Sequence, residues 1–143
     1  MQQPETPVGS LAASLSTLPS FIAYLVGSGS LLAGFTLLYT SLTPYREFAL
    51  IRAGNQAAAI ALSGALLGFA IPLASVIAHS GQLVDLLVWG VVALFVQLAG
   101  YLVARATFPQ LPKAIGDGVV SEAIFLAGLS LALGILDAAC MVG

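Results

Sequence analysis

Two acids, Glu122 and Asp137, stand inside the last apolar run of this 143-residue chain. On a helix, a separation of fifteen positions leaves them about 60° apart around the axis and about 22 Å apart along it. Ser130 lies on the same side between them, and Gln97 stands near the middle of the preceding apolar run. A charge at the centre of a bilayer costs at least about 2.5–3.5 kcal/mol, so an acid within a span needs a partner, a proton or water. Neither acid is at the centre. Glu122 is within reach of Arg105 for an ion pair, or serves as an interfacial glutamate. Asp137 reads as a proton or cation site, as a hydrogen-bonded group within a bundle, or as an acid reaching external water. Gln97 reads as interhelical glue before it reads as a ligand.

Little else in the chain could do chemistry. His79 is the one histidine and Cys140 the one cysteine, which leaves no metal-binding cluster and no intramolecular disulfide. There is no nucleophile motif, phosphate loop or zinc spacing. Neither an enzyme nor a cofactor is expected.

The elements that must position these residues follow from composition. Hydrophobic residues make up 59% of the chain and charged residues 7%, against roughly 25% charged in soluble domains. Apolar runs of about 20 residues cross a bilayer, and four are found, at 20–42, 55–79, 83–104 and 119–142. The expected fold is all-α and integral to the membrane. Residues 1–19 read as a polar, mobile lead, and not as a signal peptide, because Arg46 is the first basic residue. The net charge of −2 gives no reason to expect a nucleic-acid partner.

All four basic residues, Arg46, Arg52, Arg105 and Lys113, fall in the connections after the first and third spans. The positive-inside rule puts both connections in the cytoplasm, and both termini and the uncharged Ser80-Gly81-Gln82 hairpin outside. Tyr45, Phe48 and Ile51 share one side of a helical turn, with Arg46, Glu47 and Arg52 elsewhere around it. That suits a short headgroup-level helix or a plain basic loop. Asn55 is placed to cap the second span, Asp85 to favour the positive end of the third, and Trp89 to join the aromatic belt.

A shift of 64 residues lays Gly54 on Gly118 and Gly64 on Gly128, and the second span on the fourth. Residues 20–79 and 83–142 therefore read as two tandem two-helix repeats in the same orientation. Each span carries small residues at three-and-four spacing: Ala23, Gly27, Ser30 and Gly34; Ala57, Ala61, Gly64 and Gly68; Gly90, Ala93, Gln97, Gly100 and Ala104; Ala123, Ala127, Ser130, Gly134 and Ala138. Such stripes let helices approach closely where lipid gives no hydrophobic drive. Gly64, Gly68 and Pro72 form the sharpest of them, since Pro72 lacks the N–H that the Gly68 carbonyl would accept. A close antiparallel four-helix bundle is expected.

The run from Gly54 to Leu73, with Asn55, Ser63-Gly64, Leu67-Gly68 and Ile71-Pro72-Leu73, is followed by Asp85, Trp89-Gly90, Gln97 and the ending Ala138-Ala139-Cys140-Met141. This pattern resembles the YjfL-type bacterial inner-membrane proteins, the domain-of-unknown-function 350 (DUF350) family of duplicated two-span units. The family starts both halves with Asn-Thr-Ala-Ala; the second half here departs from that, with Val119-Val120-Ser121-Glu122. The resemblance implies an inner-membrane location and an envelope role, and it brings no catalytic residue or cofactor. Beyond the lipid bilayer, the expected partners are further copies of the chain in a homo-oligomer and a cytoplasmic protein met by the basic connections. The expected function is an oligomeric scaffold or component of an envelope-stress system. Its alternative is a small ion channel or transport subunit with a path along the fourth span.

Overall fold

A computed structural model describes residues 6–142, and among these it is helical without strands. In chain order the helices are α1 Pro7–Ser16, α2 Leu18–Leu42, α3 Glu47–Arg52, α4 Gln56–His79, α5 Leu83–Thr107, α6 Leu111–Gly116 and α7 Val120–Cys140. Four stretches are long and apolar enough to cross a membrane: α1 with α2, then α4, α5 and α7. They fall on the four spans expected from the sequence, with α5 running three residues further, to Thr107.

Of the lead at 1–19, residues 1–5 lie outside the described residues. The remainder is helical: α1 runs almost without interruption into α2 through Thr17, whose backbone stays in the right-handed helical region. The hydroxyls along it bond back to carbonyls three or four residues earlier, which keeps them satisfied within the helix. Ser10 donates to the Pro7 carbonyl, Ser14 to that of Ser10 and Thr17 to that of Ser14.

α4 is the centre of the molecule. It packs along α7 over its length, with α5 against both and α2 on the outer side of α5 and α4. At Gly64 an added Cβ would collide with Cα and Cβ of Ala127, and at Gly68 with the Ser130 carbonyl. At Gly134 it would collide with the Gly68 carbonyl. The two backbones therefore touch, with a glycine hydrogen aimed at a carbonyl in each direction, as in Cα–H···O contacts between close helices. The Gly68 carbonyl is the one that Pro72 deprives of its helical donor, so Gly134 faces an oxygen with spare accepting capacity.

α2 is held differently. Phe35 stacks on Phe69 of α4 at 4.5 Å between ring centroids, and Tyr39 meets Tyr101 of α5 edge-on at 5.4 Å. Nearer the other end, Leu31 lies against Gly90 and Gly27 near Leu86. Ser30 and Gly34 of its small-residue stripe are exposed, and among the described residues nothing lies within 4 Å of a Cβ built at Gly29 or Gly34. The stripes of α4, α5 and α7 face the bundle; half of the α2 stripe does not.

The two connections have matching backbones. Gly54, at φ +87°, ends α3, with its N–H on the Ile51 carbonyl and that of Asn55 on the Leu50 carbonyl. Gly118, at φ +83°, ends α6 with the same two bonds, to Ile115 and from Val119 to Ala114. This is the Schellman closure, which needs a left-handed residue at its turn and so a glycine. Asn55 then joins the two connections. Its Oδ1 accepts from the Ala58 N–H, capping α4, while Nδ2 donates to the Ile115 and Gly116 carbonyls, each at 3.1 Å. All four basic residues consequently lie at one end of the molecule.

Candidate functional site

Chemistry-bearing side chains gather in three places. The first is the junction of α4, α5 and α7. Gln97, buried on α5, donates from Nε2 to the Ser130 carbonyl at 3.0 Å, beside Gly68. One side-chain amide thus binds the third helix to the α4–α7 seam. Ser130 is itself buried there, packed towards α4 and α5. It therefore does not share a solvent-facing or lipid-facing surface with the two acids of its helix.

The second place is the two ends of α7. Glu122 and Asp137 are each half-buried, and each keeps one carboxylate oxygen, Oε2 and Oδ2, shielded from solvent with no hydrogen-bond partner. No ion pair joins Glu122 to Arg105. The Arg105 guanidinium lies by the Tyr101 hydroxyl, one turn back on its own helix, without completing a well-formed hydrogen bond to it. Asp137 comes near the far end of the molecule, where Ser75 of α4 donates to the neighbouring Ala138 carbonyl at 3.3 Å. A recess of about 350 Å³ opens at that end between Ser75, His79, Asp85, Trp89 and Met141. Its polar groups are occupied locally. His79 Nδ1 meets the Ser75 carbonyl of its own helix, and Ser80 donates to Asp85.

The third place is at the basic end, and the sequence reading missed it. The sequence places Glu47 away from the Tyr45, Phe48 and Ile51 side of a short helix or basic loop and assigns it no role. In the fold it is only 2% exposed. The chain leaves α2 at Thr43, turns at Pro44 and starts α3 at Glu47, and the turn folds the first residue of α3 back under the end of α2. Thr43, also buried, donates its hydroxyl to Glu47 Oε1. Around this pair stand three phenols, Tyr39, Tyr45 and Tyr101, whose hydroxyl oxygens are all shielded from solvent without a hydrogen-bond partner. Tyr45 lines the same recess as Thr43 and Glu47, Tyr39 stands one turn before Thr43, and the Tyr39 and Tyr101 rings meet edge-on. Burial pushes the Glu47 carboxyl above the usual carboxylate range, with the Thr43 bond pulling the other way. Burial likewise raises the Tyr45 hydroxyl far above the ordinary phenol value, so it stays neutral.

A sequence signal for this site existed. Tyr39, Thr43 and Glu47 recur every four residues, and Tyr101 precedes Arg105 by four on the facing helix. Arg46, Arg52 and Lys113 are not buried, and line open recesses at the basic end: Arg46 and Arg52 beside Glu47, and Lys113 with Arg105 between the two connections.

Fold and sites together define a multi-pass helical membrane protein without a recognisable catalytic constellation among the described residues. Residues 13–141 match the Domain of Unknown Function (DUF350) family, and the chain belongs to that family. It is 35% identical over 127 residues to the UPF0719 inner membrane protein YjfL of Escherichia coli K12, covering 89% of this chain and 96% of that protein. The O157:H7 protein of the same name is similar to the same extent. No solved structure matches the chain. Four apolar helices and these relatives place it in the inner membrane as a multi-pass protein of a family without an assigned activity.

Proposed function

We propose that this protein is a non-enzymatic, homo-oligomeric scaffold of the bacterial inner membrane, with a role in the envelope. It consists of two tandem two-helix repeats in the same orientation, with both termini periplasmic and the basic connections in the cytoplasm. The repeat is supported by the two Schellman closures 64 residues apart and by the near-identical backbone of Asn55 and Val119, at φ −73°, ψ 104° and φ −74°, ψ 102°. The orientation is supported by the clustering of all four basic residues at one end.

One observation carries the oligomer. α2 presents Gly29, Ser30, Ala33 and Gly34 on an exposed face, and no described residue lies within 4 Å of a Cβ built at Gly29 or Gly34. Ser28, Thr36 and Thr40 of α2 bond within the helix, to the Tyr24, Leu32 and Thr36 carbonyls. These hydroxyls therefore demand no outside partner, and the small residues permit a close one. The test is direct, because a Cβ at Gly29 or Gly34 meets no described residue and both positions are exposed. In native mass spectrometry or crosslinking, Gly29→Leu and Gly34→Leu should shift the population towards monomer without changing the helical content. An unchanged distribution of species would remove the reading. A cytoplasmic partner docking on the basic connections is tested separately: Arg46→Gln with Arg52→Gln should lose it in a pull-down, and equal recovery would exclude it.

A second reading, a channel or transport subunit, is favoured by the unpartnered oxygens of Glu122 and Asp137. Such a path runs along the outer side of α7, since Ser130 is turned inward. Cation or proton flux into liposomes that vanishes in Asp137→Asn supports it. Absence of flux from the unmodified protein ends it.

A further inference from the structure

Five oxygen-bearing side chains meet at the basic end in an arrangement that is incomplete as it stands. Glu47 is occluded and accepts one side-chain hydrogen bond, from Thr43. Tyr39 and Tyr101 are each 2% exposed, and their hydroxyls, like that of Tyr45, have no partner. Buried polar groups are almost always satisfied, and an unsatisfied cluster marks a place where water or an ion belongs. Among the described residues no basic side chain is in ion-pair contact with Glu47; Arg105 is turned to Tyr101, and Arg46 and Arg52 are exposed. An ionised Glu47 therefore lacks a counter-charge within the chain, and a buried charge without one is costly.

We propose that Glu47, Thr43, Tyr39, Tyr45 and Tyr101 form a binding site for a single dehydrated monovalent metal cation, sodium or potassium. The donor chemistry fits this class. All five are hard oxygens, which suit alkali and alkaline-earth ions and not the thiol- or imidazole-seeking metals. One carboxylate among four neutral hydroxyls balances one positive charge. Divalent ions are ordinarily held with more than one carboxylate or with retained waters. The bound ion gives each phenol oxygen a use for its lone pairs and gives Glu47 its missing counter-charge. Access is from the open recess of about 510 Å³ that Thr43, Tyr45, Arg46, Glu47 and Arg52 line. Because α2, α3 and α5 each contribute ligands, the ion joins α2 to the rest of the bundle where the remaining packing is aromatic. This site is independent of the oligomer proposed above.

The experiment measures thermal unfolding of the purified full-length protein in detergent, at matched ionic strength, in sodium, potassium or N-methyl-D-glucamine chloride. A ligand that binds only the folded state raises the melting temperature with concentration, so sodium or potassium should raise it by several degrees over the organic cation. Retention of radioactive sodium or rubidium by the protein is the direct companion measurement. Glu47→Gln should abolish both effects, and Tyr39→Phe and Tyr101→Phe, which keep the rings, should weaken binding several-fold. If Glu47→Gln fails to fold, the wild type and the two phenylalanine variants decide. Equal melting in all three salts with no isotope retained overturns the proposal, and so does undiminished cation dependence in the variants. Stabilisation by magnesium or calcium but not by sodium or potassium overturns the charge count. A melting temperature that follows pH through Glu47 and ignores the salt assigns the site to a proton instead.

Discussion

The glycines of α4 and α7 and those of α2 have the same sequence character and opposite surroundings. Gly64, Gly68 and Gly134 hold two backbones in contact, so that any side chain there meets main-chain atoms. Gly29 and Gly34 meet nothing. Between apolar helices in lipid there is no hydrophobic force to bring either face inward, so what differs is the availability of a matching surface. The α4–α7 seam has one in each direction, glycine hydrogen against carbonyl. The outward face of α2 has none in its own chain, and α2 is held by rings on its other side. Close packing and small-residue content are therefore separate properties, and only the first marks the core.

Substitutions separate the two regions most sharply when they add bulk. Gly134→Leu or Gly68→Leu should destabilise the protein by about 3 kcal/mol or more, since overpacking is worst against backbone that cannot rotate away. Unfolding in detergent, followed by circular dichroism, reads this out, and a variant as stable as wild type would show that the seam is not the core. Asn55→Ala should follow, at about 1–2 kcal/mol, because it loses both a helix cap and two bonds to the α6 carbonyls. Asn55→Asp discriminates further. It keeps the cap but sets a carboxylate oxygen against the Ile115 and Gly116 carbonyls, so it should be no better than alanine. If aspartate restores full stability, the bridge between connections contributes nothing. Gln97→Leu should cost less, about 0.6 kcal/mol, the typical size of one interhelical hydrogen bond within a membrane. The same measurement on Gly29→Leu should show almost no change in monomer stability, and a large loss would place that face against something within the chain.

The basic end teaches a related lesson about legibility. The four spans and the basic connections could be read directly, because length and charge are properties of local sequence; Gly54 and Gly118 showed only as matching positions of the repeat, and their left-handed turns came from the structure. The packing positions Gly64, Gly68 and Pro72 were also visible in sequence, as was Gln97 near mid-span. Glu47 was not. An acid flanked by arginine suggests a solvated surface, and only the turn at Pro44 carries it beneath the end of α2. The Glu122–Arg105 pair failed for a similar reason, since reach along the chain does not fix where a guanidinium turns.

The sequence by itself determined how many helices are long and apolar enough to cross a membrane, which end carries the positive charge and where each helix can bring its backbone close to another. Those features follow from apolar length, charge placement and the absence of Cβ atoms. Tertiary structure alone decided which small-residue faces are used, because lipid and a neighbouring helix are equally apolar and composition cannot tell them apart. It alone also brought Tyr39, Tyr45 and Tyr101 around Glu47, since the spacing within each helix does not say which helices will meet.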